Sequence, residues 1–120
     1  AALGIGGEGS SVVNDVESWN GTAWTEVNNL NTPRHGCAGL GASNALALCL
    51  GGNKEPPVAD EVESWDGVSW TEEGDLSTAR YHLAGAGTNT LALAVGGYTT
   101  AAVASTEEWT VGQNVEIITD

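Results

Sequence analysis

Two arginines and three glutamates stand at matching intervals in this chain, and they are the first residues to consider for chemistry. Arg34 and Arg80 are two of only three Lys and Arg residues among 120, and Glu17, Glu63 and Glu107 recur in one local context. An arginine fork beside a carboxylate could hold the acid group of a substrate, or it could close a structural ion pair. Recurrence favours the structural role: a site for one ligand does not need its residues in every repeat, whereas packing does. The expectation is that each arginine hydrogen-bonds a glutamate or loop carbonyls, within or between repeat units. Breaking such a pair when buried would cost about 3–5 kcal/mol.

The remaining reactive types form no catalytic set. His35 and His82 lie at non-equivalent places and at no metal-ligand spacing. Glu72, Glu73 and Asp75 lack the alternating Asp/Asn-plus-Gly pattern of a calcium loop, so a solvated edge that keeps an outer strand from pairing is the better reading. Cys37 and Cys49 would face each other if the turn at 42–44 paired 41 with 45. A cross-strand disulfide is then conceivable, although small apolar filling by two free thiols is preferred, since the third copy has Leu83 and Ala94 there. There is no C-x-x-C, no nucleophile motif and no phosphate loop. The Gly-rich stretch at residues 4–9 precedes no helical pattern, so it does not read as a dinucleotide site. No cofactor and no metal are expected.

Five tryptophans, Trp19, Trp24, Trp65, Trp70 and Trp109, invite a sugar-stacking reading. All five occupy repeat positions, which favours burial between units. Tyr98 is different, because its counterparts are Glu8 and Asn53. With Lys54 and the variable loops 8–15, 53–60 and 98–105, these residues are the candidate recognition surface.

The elements that must position these side chains follow from the repeat. Gly6-Gly7, Gly51-Gly52 and Gly96-Gly97 recur every 45 residues. Each pair follows a small-and-aliphatic run and precedes Val16-Glu17-Ser18-Trp19, Val62-Glu63-Ser64-Trp65 or Thr106-Glu107-Glu108-Trp109. Three copies result, at about 1–33, 34–79 and 80–120. In the middle copy, four strand-sized pieces are expected at 34–41, 45–52, 60–65 and 69–73. Asn20-Gly21 and Asp66-Gly67 predict two-residue type I′ hairpins. Leu46, Leu48 and Leu50 alternate with Ala45, Ala47 and Cys49, and the third copy repeats this with Leu91, Leu93 and Val95 against Ala92 and Ala94. A sheet with one bulky and one small apolar face is covered on both sides. Bulky on small is a head-to-tail contact, which closes into a ring or leaves open ends.

The double glycine, the aromatic a dozen residues on, the Trp after it and the Arg before the next strand resemble a kelch repeat. The middle copy carries them as Gly51-Gly52, Trp65, Trp70 and Arg80, and the first as Gly6-Gly7, Trp19, Trp24 and Arg34. Trp replaces the family's usual Tyr, and Leu30 or Leu76 replaces its bulky residue before the Arg. The resemblance implies an all-β fold of kelch-like β-propeller blades, each of four antiparallel strands. About 2.75 blades fit, with the ring completed by oligomerisation and a six-bladed dimer as the simplest count. This Trp- and Gly-rich form is similar to repeats of bacteriophage and marine microbial proteins, which implies a virion or extracellular adhesin. The function expected is a non-enzymatic module that binds protein or glycan. A lectin is the nearest alternative. A fragment of a galactose-oxidase-like enzyme would need a Tyr–Cys pair with further His and Tyr ligands, and the scattered residues here do not make that set.

Composition is consistent with this. Seventeen Gly, no Phe, no Met and 41% hydrophobic residues suit many short strands. The absence of Met and of a charged leader suggests a processed chain or an excised piece. A net charge of −13 offers almost no cations to displace counterions from nucleic acid or to meet an anionic membrane. No apolar run reaches the length of a membrane span.

Overall fold

Alternating apolar runs cut by glycine turns produce strands alone. The computed structural model describes residues 2–8, 11–54, 57–110 and 116–118, and among these it contains eleven strands and no helix. They form three antiparallel sheets, one after another along the chain. The first sheet joins β1 (Ala2–Glu8), β2 (Val12–Trp19) and β3 (Trp24–Val27). The second joins β4 (Ala38–Ser43), β5 (Leu46–Asn53), β6 (Val58–Trp65) and β7 (Trp70–Glu72). The third joins β8 (Ala84–Gly87), β9 (Leu91–Val95), β10 (Thr106–Thr110) and β11 (Glu116–Ile118). Each is a meander of nearest neighbours, so every pairing is local and the connections stay short.

The sheets pack bulky face on small face. Leu3 and Ile5 of the first lie against Ala47, Cys49, Trp65 and Trp70 of the second. Leu48 and Leu50 of the second lie against Ala92, Ala94 and Trp109 of the third. Small residues let the backbones approach: a Cβ on Gly85 would come within 2.7 Å of Leu40 Cδ2 and 3.0 Å of Ala38 Cβ. Burying each leucine contributes about 1.5–3 kcal/mol, and β5 is covered on both faces from Ala47 to Gly52. The two terminal sheets are covered on one face only. The third exposes Leu91, Leu93 and Val95, and the first exposes Glu17 and Trp24 on its small-residue side.

Local structure corrects four sequence expectations. The first strand of the second sheet begins at Ala38, not at 34. Arg34 is held on the first sheet instead, its N–H donating to Val13 and its carbonyl accepting from Gly7 N–H at 3.0 Å. A register shift between Gly41 and Ser43 places Cys49 opposite Gly39, so Cys37 is not its cross-strand partner. The hairpins at 20–23 and 66–69 are not type I′, because only Gly21 and Gly67 take positive φ there. In their place Asn20 Oδ1 accepts the N–H groups of Thr22 and Ala23, and Asp66 Oδ1 accepts those of Val68 and Ser69. Trp19 and Trp24 are not buried as repeat positions suggested, because among the described residues no other sheet covers them.

Candidate functional site

The arginines act between sheets. Each follows a sheet's last described outer strand, in the segment that leads to the next sheet. The first glycine of each pair makes this possible: at Gly6 a Cβ would stand 2.5 Å from Arg34 O, and at Gly51 2.5 Å from Arg80 O. Both glycines have φ near +62°, which glycine tolerates without penalty. With its main chain seated there, Arg34 sends its guanidinium to the next sheet. Nη2 meets Glu63 Oε2 at 2.7 Å, and Nη1 donates to the carbonyls of Gly51 at 3.0 Å and Glu61 at 2.7 Å. Arg80 repeats this on the third sheet, with Glu107 at 2.7 Å and the carbonyls of Gly96 and Ser105 at 2.9 and 2.8 Å.

The carboxylates complete the clasp with backbone donors. Glu63 Oε1 accepts the N–H of Asn31, and Glu107 Oε1 that of Ser77, both at 2.7 Å. All four charged side chains are fully buried, so each relies on this pairing and on charge-assisted hydrogen bonds to replace water. An indole closes the other end. Trp70 Nε1 donates to Asn28 O at 3.1 Å, and Trp109 Nε1 donates to Gly74 O at 2.7 Å. By sequence Trp109 matches Trp65, yet its hydrogen bond is the one Trp70 makes. The third copy therefore does without a second Trp at this joint.

On the first sheet the same motif has no such company. Glu17 is exposed, and among the described residues it has no ion-pair partner. Trp24 is 51% exposed, against 6% for Trp70. Local geometry is otherwise the same: Trp19 and Trp24 pair directly across the strands with ring centroids 5.3 Å apart, as Trp65 and Trp70 do.

The candidate recognition residues are only partly brought together. Tyr98 is exposed, bridged through its backbone to Tyr81 and Ala102, with its ring 5.9 Å from that of Tyr81. Tyr81 stands 4.8 Å from His82, and His82 6.1 Å from His35, whose backbone bridges to Asn53. One row thus links Tyr98 to Asn53. Lys54 pairs with Glu61 at 2.7 Å. Glu8 ends β1 as an exposed residue. The sequence places His35 and His82 at non-equivalent positions and gives no sign that they meet. His35 matches Tyr81 one repeat on, and the step between sheets sets His82 beside its counterpart's neighbour. His82 also holds φ of 54°, where the preceding copy has Gly36 at 65°.

Cys37 and Cys49 are free thiols at the first joint. A hydrogen bond with Cys49 draws the Cys37 thiol below its ordinary range against the effect of burial, and Arg34 adds to the lowering. That same bond and burial push the Cys49 thiol up. Among the described residues no three His, Cys, Asp or Glu side chains gather as a metal site, and no helix is long and apolar enough to cross a membrane.

No family model and no curated protein matches the chain. Solved structures do: among 104 matching chains is YjhT, 21% identical, with a TM-score of 0.62 over 88% of this chain and 37% of that one. At this identity the likeness is one of fold. The chain spans a little over a third of YjhT's length.

Proposed function

We propose that the chain is a set of kelch-like β-propeller blades serving as a non-enzymatic binding and structural module, completed by association with further repeat units. One observation carries the reading: the same bulky-on-small contact is made twice, and one face of each kind is left over. Leu91, Leu93 and Val95 are exposed at one end, and the small-residue side of β1 and β2 with Trp24 at the other. A head-to-tail contact of this sort propagates until it closes, and exposed apolar patches of matched shape mark association surfaces. Two copies of the three sheets are the smallest closed count, six blades. The row ending at exposed Tyr98 supplies the recognition surface for protein or glycan, since tyrosine offers an apolar ring with a polar end. Such a module suits a virion or cell-surface setting.

Association must bury Trp24. Its indole emission therefore shifts to shorter wavelength with rising protein concentration in the parent chain and stays constant in Leu93→Asp, which puts a charge on the opposite face. Emission independent of concentration in both would overturn the reading.

A further inference from the structure

The open face of the first sheet has more chemistry than an apolar patch, and the two occupied joints spell out what fits it. Each occupied joint reads three groups of one connecting segment. A main-chain carbonyl, of Asn28 or Gly74, accepts from an indole N–H. Three residues on, a main-chain N–H, of Asn31 or Ser77, donates to a buried glutamate. Six residues on, Arg34 or Arg80 donates through Nη2 to that same glutamate. The first sheet presents the matching receivers, Glu17 and Trp24, and both are exposed.

We infer that this face is a socket for the arginine-bearing connecting segment of a further repeat unit, which rests on the reading above that the open faces associate. A carboxylate buried at such a joint without a cation is costly, so an occupant that also seals Glu17 from solvent has to bring one. These 120 residues have none to spare: Arg34 and Arg80 are committed to Glu63 and Glu107, and Lys54, the third cation, to Glu61. A second copy can offer Leu91, Leu93 and Val95 to the face but not an arginine to Glu17. The full occupant is therefore a unit carrying a fourth arginine, recognised by a carbonyl, an N–H and a guanidinium at successive intervals of three residues.

The test titrates the full chain, carrying Leu93→Asp to keep the face free of other copies, with a synthetic peptide of the sequence of residues 27–36. Binding is followed by Trp emission and calorimetry at about 0.15 M salt, where long-range attraction to an acidic chain is screened. The peptide is expected to bind, and Arg34→Ala in the peptide or Glu17→Gln in the chain each weakens it about tenfold or more. A scrambled peptide of equal charge is expected to bind no better than the Arg34→Ala peptide. Absence of binding at about 1 mM peptide, equal binding of the scrambled peptide, or indifference to Glu17→Gln would each overturn the inference. The mass of the parent chain in solution reports separately on association of the apolar faces. A chain that self-associates but ignores the peptide keeps the reading and loses the socket, and a chain that binds the peptide without self-associating keeps the socket and loses only the closure by two copies.

Discussion

Val16-Glu17-Ser18-Trp19 and Val62-Glu63-Ser64-Trp65 are the same four residues in the same strand of adjacent sheets, and they live in opposite surroundings. In both, the strand ends on a Trp paired across to a second Trp at the same ring distance. Glu63 is nevertheless fully buried and clasped by Arg34, whereas Glu17 faces solvent. Strand, turn and aromatic pair are thus local properties of the sequence. Burial, charge pairing and the indole hydrogen bond are supplied by the preceding unit. A repeat of this type is finished by its neighbour.

The comparison can be broken most sharply at the charges. Arg80→Ala strands Glu107 in the interior and is expected to cost about 3–5 kcal/mol, a large share of the about 5–15 kcal/mol available to a domain. Glu17→Gln, at the matching position on the open face, is expected to stay within about 0.5 kcal/mol. Denaturant midpoints of the two variants decide it, and an unchanged midpoint for Arg80→Ala would remove the clasp's structural role. The indoles give a second contrast. Trp70→Ala opens a cavity between sheets and costs about 3–5 kcal/mol, while Trp24→Ala is expected to cost about 1 kcal/mol or less in dilute protein. Equal losses would mean that the two faces do not differ as described.

The turns sharpen the comparison at the smallest scale, because Asn20 and Asp66 do one task with and without a charge. The N–H groups of Ser69 and Val68 hold the exposed Asp66 carboxyl below its ordinary range. A depressed carboxyl adds stability above its unfolded value of about 3.9, and loses it as the pH falls through the folded one. Asp66→Asn, copying the first copy's residue, is expected to flatten the acid side of the stability profile slightly and leave the slope on the neutral side unchanged. An identical acid slope in parent and variant would show that the turn contributes nothing to it.

Much of the all-β fold was legible because strands obey a period of two: Leu48 and Leu50 against Ala47 and Cys49 foretold two apolar faces before any contact was known. The recurrence of Arg34 and Arg80 with glutamates pointed to structure, but not to the next sheet as the place where they meet, since that depends on how Gly6 and Gly51 seat the arginine backbone. Register was less readable. The shift between Gly41 and Ser43 set Gly39 rather than Cys37 directly opposite Cys49, and nothing in the spacing of the cysteines announces a bulge. The turns were misread because Asn-Gly and Asp-Gly serve side-chain capping as readily as type I′ geometry. Of the candidate recognition residues, Tyr98 and Asn53 fall on one row, but His35 and His82 between them come from different repeat positions, which sequence periodicity separates.

The central claim is that the two uncovered faces are joints awaiting a neighbour. Sedimentation equilibrium of the chain over a wide concentration range tests it most directly. The account predicts a mass that climbs above the 12.2 kDa of one chain and returns to it in Leu93→Asp. A single 12.2 kDa species at every concentration, stable and indifferent to Leu93→Asp, would contradict it.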